Sequence, residues 1–450
     1  MNGPPVFSAG VWKTPSPEPG ATTPPPDKTV PESPGPEYDE GHRLDETIPP
    51  LINGLEMPVI GATGYTTVEL PLWSTHPNKP YEPNPAPSPS PSAPEPSAEP
   101  DPPAEPTPLP SQFVDPIWPS EEPAPTAEPE PTAEPTQGPE QTGAVARTAA
   151  SAAGPSELVA MWGPGKAFWI LAEDGDWWYV VRGGDMGWIE HRYCMINLPD
   201  VIPSIIYNDT NAFSSIFVSC GKNIPGITGQ SLYSSQCYNR RLDRQEFVMP
   251  ILYSAARNIC AAQHKALAEG NCLVVYQTFR PYQAQIDVAN AVSSMARSDP
   301  EVRAGISTSP WSIDWFIATG VSNHQRGYAL DVSMVKVYAT ELKYVGDCPY
   351  LRVTDYEDYR MPTAMHELSM AARSTVSPSS SQLSETMNDP AIALRRYFIS
   401  SGLSPLASEW WHFNDLGAMR ATANNPSDGR FFTNKCLSQP PEWVPDMLGG

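Results

Sequence analysis

Three features are missing from this sequence, and each absence excludes something. No two of its seven cysteines stand in a C-x-x-C pair, which removes the usual spacing of a structural zinc ribbon. No run reaches the ~18–20 apolar residues that a membrane helix requires. From Tyr81 to Val145 there are twelve acids and neither lysine nor arginine, in a chain of net charge −23. With no basic stripe to neutralise phosphates, the chain does not read as a nucleic-acid binder. Charge alone would not draw it to an anionic membrane or wall polymer either. The opening MNGPPVFSAGVWKTPSPEPG lacks the basic and apolar regions of an export leader. The long extracellular-style linker still leads us to expect an extracellular or wall-associated protein, its leader absent from the numbered chain. In such a protein some cysteines would pair, and the odd count leaves at least one thiol free. Sequence assigns no pairing.

What the chain has in excess is proline, 56 residues, most of them before Pro155. Proline fixes φ and removes a donor, so tracts such as TAEPEPTAEPTQGPE favour solvated polyproline conformations over helix or sheet. Residues 1–60 and 79–155 are therefore expected to be disordered Pro-rich spacers, the second one acidic. Between them GYTTVELPLWS, within 61–78, alternates like a strand. After them, 156–200 carries short β-branched and aromatic runs punctuated by GPG, EDGD and RGGD, which are turn signals. That order of a Gly-x turn, D-G-D-W-W and G-W-I resembles bacterial SH3-like domains. The resemblance implies a small β-barrel, with 61–78 as its first strand, 79–155 as an insertion, and the cell wall as partner. The alternative is that Gly64 to Ser74 is only a sticky segment in a linker.

The remainder, 201–450, reads as one α+β domain. Helical spacing runs over Ile251 to Ala268 with Gly270 beyond its end. A buried-strand run, CLVVYQTF, leads into Arg280-Pro281, and a second helix is expected over Tyr282 to Met295. In a third, DPAIALRRYFISSG, Asp389 reads as the N-cap and Pro390 as the first helical residue.

Two segments concentrate the residues of a hydrolytic metal site: SNHQRGYALDVSM and SEWWHFN. Zinc accepts imidazole nitrogen and carboxylate oxygen, and a catalytic site keeps three protein ligands. His324, Asp331 and His412 would supply them, if a turn at Gly327 brings His324 back to Asp331. Glu409, three residues before His412, would then be the general base for the attacking water. Taken singly, each of these residues also fits a satisfied core or surface position.

Together with VVYQTFRPYQAQ, the motifs resemble the zinc D-Ala-D-Ala metallopeptidases, the dipeptidases and carboxypeptidases associated with vancomycin resistance. S-x-H-x-x-G-x-A-x-D is met from Ser322 to Asp331, E-W-W-H from Glu409 to His412, and R-P-x-x-A at Arg280, Pro281 and Ala284. The resemblance implies a central antiparallel sheet with flanking helices and Zn2+ on His324, Asp331 and His412. It makes Glu409 the base and then the acid, and Arg280 the partner of the developing oxyanion. Ser322, Gln285 and Trp411 would lie against substrate, Ser322 alternatively shaping its loop.

Two positions depart from the pattern. Phe279 stands where relatives carry tyrosine. His366, in RMPTAMHELS, stands where the dipeptidases hold the substrate's ammonium with an aspartate. A histidine is a poor counter-ion for an ammonium at neutral pH, unless Glu367 or another acid takes over. The expected activity is therefore a D-alanyl-D-alanine carboxypeptidase acting on peptidoglycan stem peptides or precursors. A D-Ala-D-Ala dipeptidase or wall lysin is the alternative within the enzyme class, and a non-catalytic wall-binding protein the alternative outside it.

Overall fold

The computed structural model describes residues 47–78 and 156–445. Most of the N-terminal spacer and all of the tract 79–155 lie outside the described residues. Leu55, Met57 and Val59 are buried in the body of the protein, and the Glu56 carboxylate accepts the Ser204 N–H at 3.0 Å.

Seven short strands come first: β1 (Thr63–Thr66), β2 (Leu70–Trp73), β3 (Leu158–Trp162), β4 (Ala167–Asp174), β5 (Trp177–Arg182), β6 (Asp185–Glu190) and β7 (Cys194–Asn197). Gly175, at φ +58°, makes the tight turn between β4 and β5, a conformation that costs glycine nothing. A short helix α1 (Leu198–Val201) and strand β8 (Ile206–Tyr207) lead to two hairpins, β9 (Val218–Ser219) with β10 (Lys222–Asn223), and β11 (Gln236–Asn239) with β12 (Arg244–Phe247). Strand β13 (Pro250–Leu252) completes an eight-stranded sheet of order β13-β7-β1-β4-β5-β6-β2-β3. Strands from before and after the proline tract thus share one sheet.

Helix α2 (Tyr253–Ala268) starts two residues later than its periodicity suggests. Ile251 and Leu252 instead pair with Ile196 and Met195 on β7, so the sheet takes the backbone groups that a first helical turn would have used. Strand β14 (Asn271–Gln277) follows, then helices α3 (Tyr282–Ser298), α4 (Pro300–Ser307) and α5 (Ile313–Phe316), and the long strands β15 (Ala329–Val345) and β16 (Cys348–Asp358). Helix α6 (Asp389–Ile399) is capped by Asn388, whose side chain accepts the Ala391 N–H. The expected cap, Asp389, sits one residue inside the helix. Strands β17 (Ser404–Pro405) and β18 (His412–Asn414) precede helix α7 (Leu416–Ala421).

The second sheet runs β17-β18-β15-β14-β8, with β16 on the outer part of β15. It is antiparallel except at β8, which runs parallel to β14. The two sheets meet at α2. The Tyr253 ring packs on Trp178 with centroids 4.7 Å apart and on His191 at 5.0 Å, and one apolar core spans both. No helix among the described residues is long and apolar enough to cross a membrane.

Candidate metal centre

Strand register builds the centre. Asp331 on β15 lies opposite Gln277 on β14 and opposite His412 on β18, and directly opposed residues project from the same face of a sheet. His324 arrives from the turn that precedes β15. Gly327 closes that turn at φ +81°, and a Cβ there would stand 3.2 Å from Met195 Sδ and 3.4 Å from Leu252. The backbone reversal and the crowding both call for glycine. The turn returns the chain so that His324 Nε2 lies 3.4 Å from Asp331 Oδ1.

The hydrogen bonds fix which atoms face inward. His324 Nδ1 donates to the Thr278 carbonyl at 2.6 Å, which leaves Nε2 as the lone pair. His412 Nε2 meets Asn414 Oδ1 at 3.1 Å, an oxygen that also accepts from Asn323 Nδ2. His412 Nε2 therefore carries the proton, and Nδ1 is bare. His412 Nδ1 stands 3.0 Å from Asp331 Oδ1 and 3.3 Å from His324 Nε2. Three buried lone pairs thus converge with no proton between them in this tautomer, an arrangement that repels unless a cation sits among them. Ligand bonds of about 2.0–2.1 Å to zinc in a tetrahedron place ligand atoms roughly 3.3–3.4 Å apart. The donor set and its edges fit that ion.

Asp331 uses its other oxygen for support. Oδ2 accepts from His366 Nε2 at 3.0 Å and from Arg280 Nη2 at 3.1 Å. Burial opposes its ionisation, but the cluster of His324, His366 and His412 around it outweighs that and holds Asp331 well below the usual carboxylate range. Burial pushes His324 down to about 4, so it is neutral, as a metal ligand must be. Burial also opposes charge on His412, yet Asp331 and Glu409 beside it hold its pKa up; a second proton taken up on Nδ1 would have to leave for a metal to bind there.

Glu409 Oε2 lies 3.5 Å from His412 Nδ1. Burial drives its carboxyl up to about 8 against the pull of His412 and Arg280, and a bound cation would lower it. Arg280, only 4% exposed, is held on three sides. Nε donates to Gln277 Oε1 at 2.5 Å and Nη1 to Gln285 Oε1 at 2.6 Å, with Asp331 as the third partner. These bonds use three of the five guanidinium N–H groups. Behind Gln277 the chain of contacts continues. Gln277 Nε2 donates to the Tyr233 hydroxyl, which donates to Asp209 Oδ1 at 3.1 Å.

A cleft of about 380 Å³ opens over these groups, lined among others by Phe217, Arg280, Trp315, Ser322, Glu409 and Trp411. Gln285 bridges Arg280 to the Ala318 carbonyl. Ser322 Oγ donates to Gln325 Oε1 at 2.6 Å while lining the cleft, so it shapes the loop. Trp411 is buried at the cleft wall, edge-on to His366 at 6.1 Å.

His366 lines the cleft and is engaged within the protein. Its ring stacks on Phe217 at 4.4 Å, and Asn211 Nδ2 faces its Nδ1 at 3.4 Å. Its backbone is left-handed, at φ +60°, a strained choice for histidine that tertiary contacts must hold. Its Nε2–H is committed to Asp331. Glu367 is committed too, its two oxygens accepting the N–H groups of Cys220 and Gly221 at 2.6 and 2.8 Å. The supports from Thr278, Asn414, Gln277, Tyr233 and Asp209 carry no sequence signal beyond Gln277's place three residues before Arg280. Glu56, Cys260 and His264 also gather, but Glu56 is already engaged by the Ser204 N–H and O–H.

Residues 239–429 match the model of the D-ala-D-ala dipeptidase family, a span that includes Arg280, His324, Asp331, Glu409 and His412. No curated protein matches the chain. The match makes the chain an enzyme, a zinc metallopeptidase of the D,D-peptidase type.

Proposed function

We propose that this enzyme is a zinc-dependent D,D-carboxypeptidase that removes the terminal D-Ala from peptidoglycan stem peptides or their precursors. The observation that carries the reading is the convergence of His324, Asp331 and His412 beside Glu409 and Arg280 in one cleft. The engagement of His366 and Glu367 favours a longer peptide over the free dipeptide. The imidazole N–H at 366 serves Asp331, and the carboxylate at 367 serves two backbone amides. Neither is left to meet an ammonium group. A stem peptide carries amide at that point and needs no counter-ion.

Zinc held by the three residues would act as a Lewis acid toward the scissile carbonyl and lower the pKa of water. Glu409 takes the proton of the attacking water on its carboxylate and returns it to the departing D-Ala amine. Arg280, with its remaining N–H donors, meets the oxyanion as the carbonyl becomes tetrahedral. Its three fixed hydrogen bonds mean that little reorganisation is required at that moment. Trp411 and Phe217 form apolar walls that limit water near the reacting carbon. The eight-stranded sheet, in this reading, is the SH3-like module that holds the enzyme at the cell wall outside the cell.

The decisive experiment offers zinc-loaded protein a muramyl-type pentapeptide and free D-Ala-D-Ala side by side and measures D-alanine. Faster release from the pentapeptide supports the carboxypeptidase. Faster release from the dipeptide makes it a dipeptidase, and release from neither points to a lysin cutting another stem bond. Glu409→Gln should retain zinc and lose about 10²–10⁴-fold in kcat. Turnover within a few-fold of the unaltered enzyme would remove Glu409 as the base.

A further inference from the structure

Two of the seven cysteines, 199 positions apart in sequence, face each other where the C-terminal segment crosses the hairpin β11–β12. The Cys237 and Cys436 thiols are near enough for each to shift the ionisation of the other. Independent bonds hold their two segments side by side. Asn239, two residues after Cys237, donates to Asp200 Oδ1 at 2.6 Å, and Ser438, two residues after Cys436, donates to Asp200 Oδ2 at 2.6 Å. One buried carboxylate therefore clamps both chains at the same offset from the two sulfurs. Cys436 Sγ also contacts Ser438 Oγ at 3.0 Å. Both thiols are only partly buried, so a small oxidant can reach them. The other five sit among other groups: Cys194 against the Glu190 carbonyl, Cys220 against that of Glu301, Cys272 against that of Ser204, Cys260 by Glu56, and Cys348 near Arg241.

We propose that Cys237 and Cys436 form a disulfide that staples the C-terminal segment across the junction of the two sheets. The segment it would fix is specific. Phe431 stacks on Phe279, next to Arg280, at 4.7 Å, while Lys435 and Leu437 bond to Tyr65 and Thr63 of β1. One staple thus ties the hairpin β11–β12 to the segment that runs from the flank of the cleft to the first sheet. The chemistry needs a disulfide oxidant such as oxidised glutathione. The Cys436 thiolate attacks one sulfur of the oxidant and expels a thiol. Cys237 then attacks the Cys436 sulfur of the mixed disulfide and expels the second thiol. Two protons leave the protein, and its two electrons reduce the oxidant. The neighbouring Cys237 thiol holds the Cys436 thiol below its ordinary pKa, which suits Cys436 to open the sequence.

The inference is independent of the peptidase reading and is tested without an activity assay. Full-length protein is incubated with oxidised glutathione, denatured, and its thiols counted against a reduced sample. Five free thiols are expected, against seven after reduction. A tryptic digest should contain peptide 223–240 joined to peptide 436–450, separating on reduction. The oxidised protein should melt roughly 5–15 °C above the reduced one, and Cys237→Ser should abolish that difference. Seven thiols after oxidation would overturn the proposal, as would glutathione adducts on unlinked Cys237 and Cys436, or either cysteine joined to another partner. Should the variant fail to fold, the thiol count and peptide map of the unaltered protein decide alone.

Discussion

At the scale of single residues, Asp331 divides its work between two oxygens. Oδ1 faces the two imidazole lone pairs, and Oδ2 is held by His366 and Arg280. A carboxylate fixed in this way presents one oxygen to a metal in a set orientation, and such supporting groups are commonly worth 10–100-fold in metal affinity. His366→Ala should therefore weaken zinc binding by about that factor in a competition titration with a chromophoric chelator. Unchanged affinity would make His366 a packing residue for Phe217 alone. Asp209 offers a prediction in pH. Burial outweighs its hydrogen bonds and lifts its pKa from 3.8 to about 7. The folded state thus holds this proton more tightly than the unfolded chain does. The resulting stability is fully present below about pH 4 and is lost as pH rises through about 7, on the order of 4 kcal/mol at most. Asn cannot ionise, so the advantage of the unaltered protein over Asp209→Asn should shrink between pH 5 and pH 8. Urea midpoints at the two pH values measure it, and a constant gap would show that Asp209 carries no such shift.

At the scale of elements, the turn from His324 to Gly327 and the register of β14, β15 and β18 set the centre. Gly327→Ala forces a left-handed alanine and a contact with Met195, costing about 1–2 kcal/mol. Gly175→Ala has the same backbone penalty in an open turn, at φ +58° with no neighbour near a Cβ. Both variants should unfold at lower urea, but only Gly327→Ala should also lose zinc affinity; equal affinity in the two would separate the turn from the metal. These elements also mark how much could be read in advance. The ligand motifs and Arg280 are legible because their spacing is local, within a turn or a few residues. That Gln277 stands across from Asp331, or that His366 comes to rest on Oδ2, follows from strand register and a left-handed backbone, which no local pattern encodes. Periodicity places the start of α2 two residues early for a related reason. Ile251 and Leu252 fit a helical stripe, but pairing with β7 is a long-range gain invisible to periodicity.

At the scale of the whole molecule, the acidic proline tract interrupts a sheet whose strands close around its ends. Ser74 N–H donates to the Glu157 carbonyl at 2.9 Å, and Ser156 Oγ donates to the Thr75 carbonyl at 3.1 Å. Strand β2 then runs antiparallel to β3, Leu70 opposite Trp162 and Leu72 opposite Ala160. The chain therefore leaves and re-enters the sheet at nearly one point, so a short turn can span the gap. Loop closure becomes only slightly less favourable as a loop lengthens, by about 0.6 kcal/mol per doubling. Replacing residues 79–155 with a four-residue Asn/Gly turn should therefore stabilise the fold by up to about 2.5 kcal/mol, seen as a higher melting temperature, with zinc content unchanged. Starting the chain at residue 156 removes β1 and β2 instead. It strips β4 and β7 of the strand between them and removes Tyr65 and Leu72, fully buried side chains of the core, leaving the residues packed against them uncovered. That truncated protein should be insoluble or melt far lower, whereas the excised one folds. Equal behaviour of the two would mean that the first two strands add nothing to the sheet, and that the peptidase stands without them.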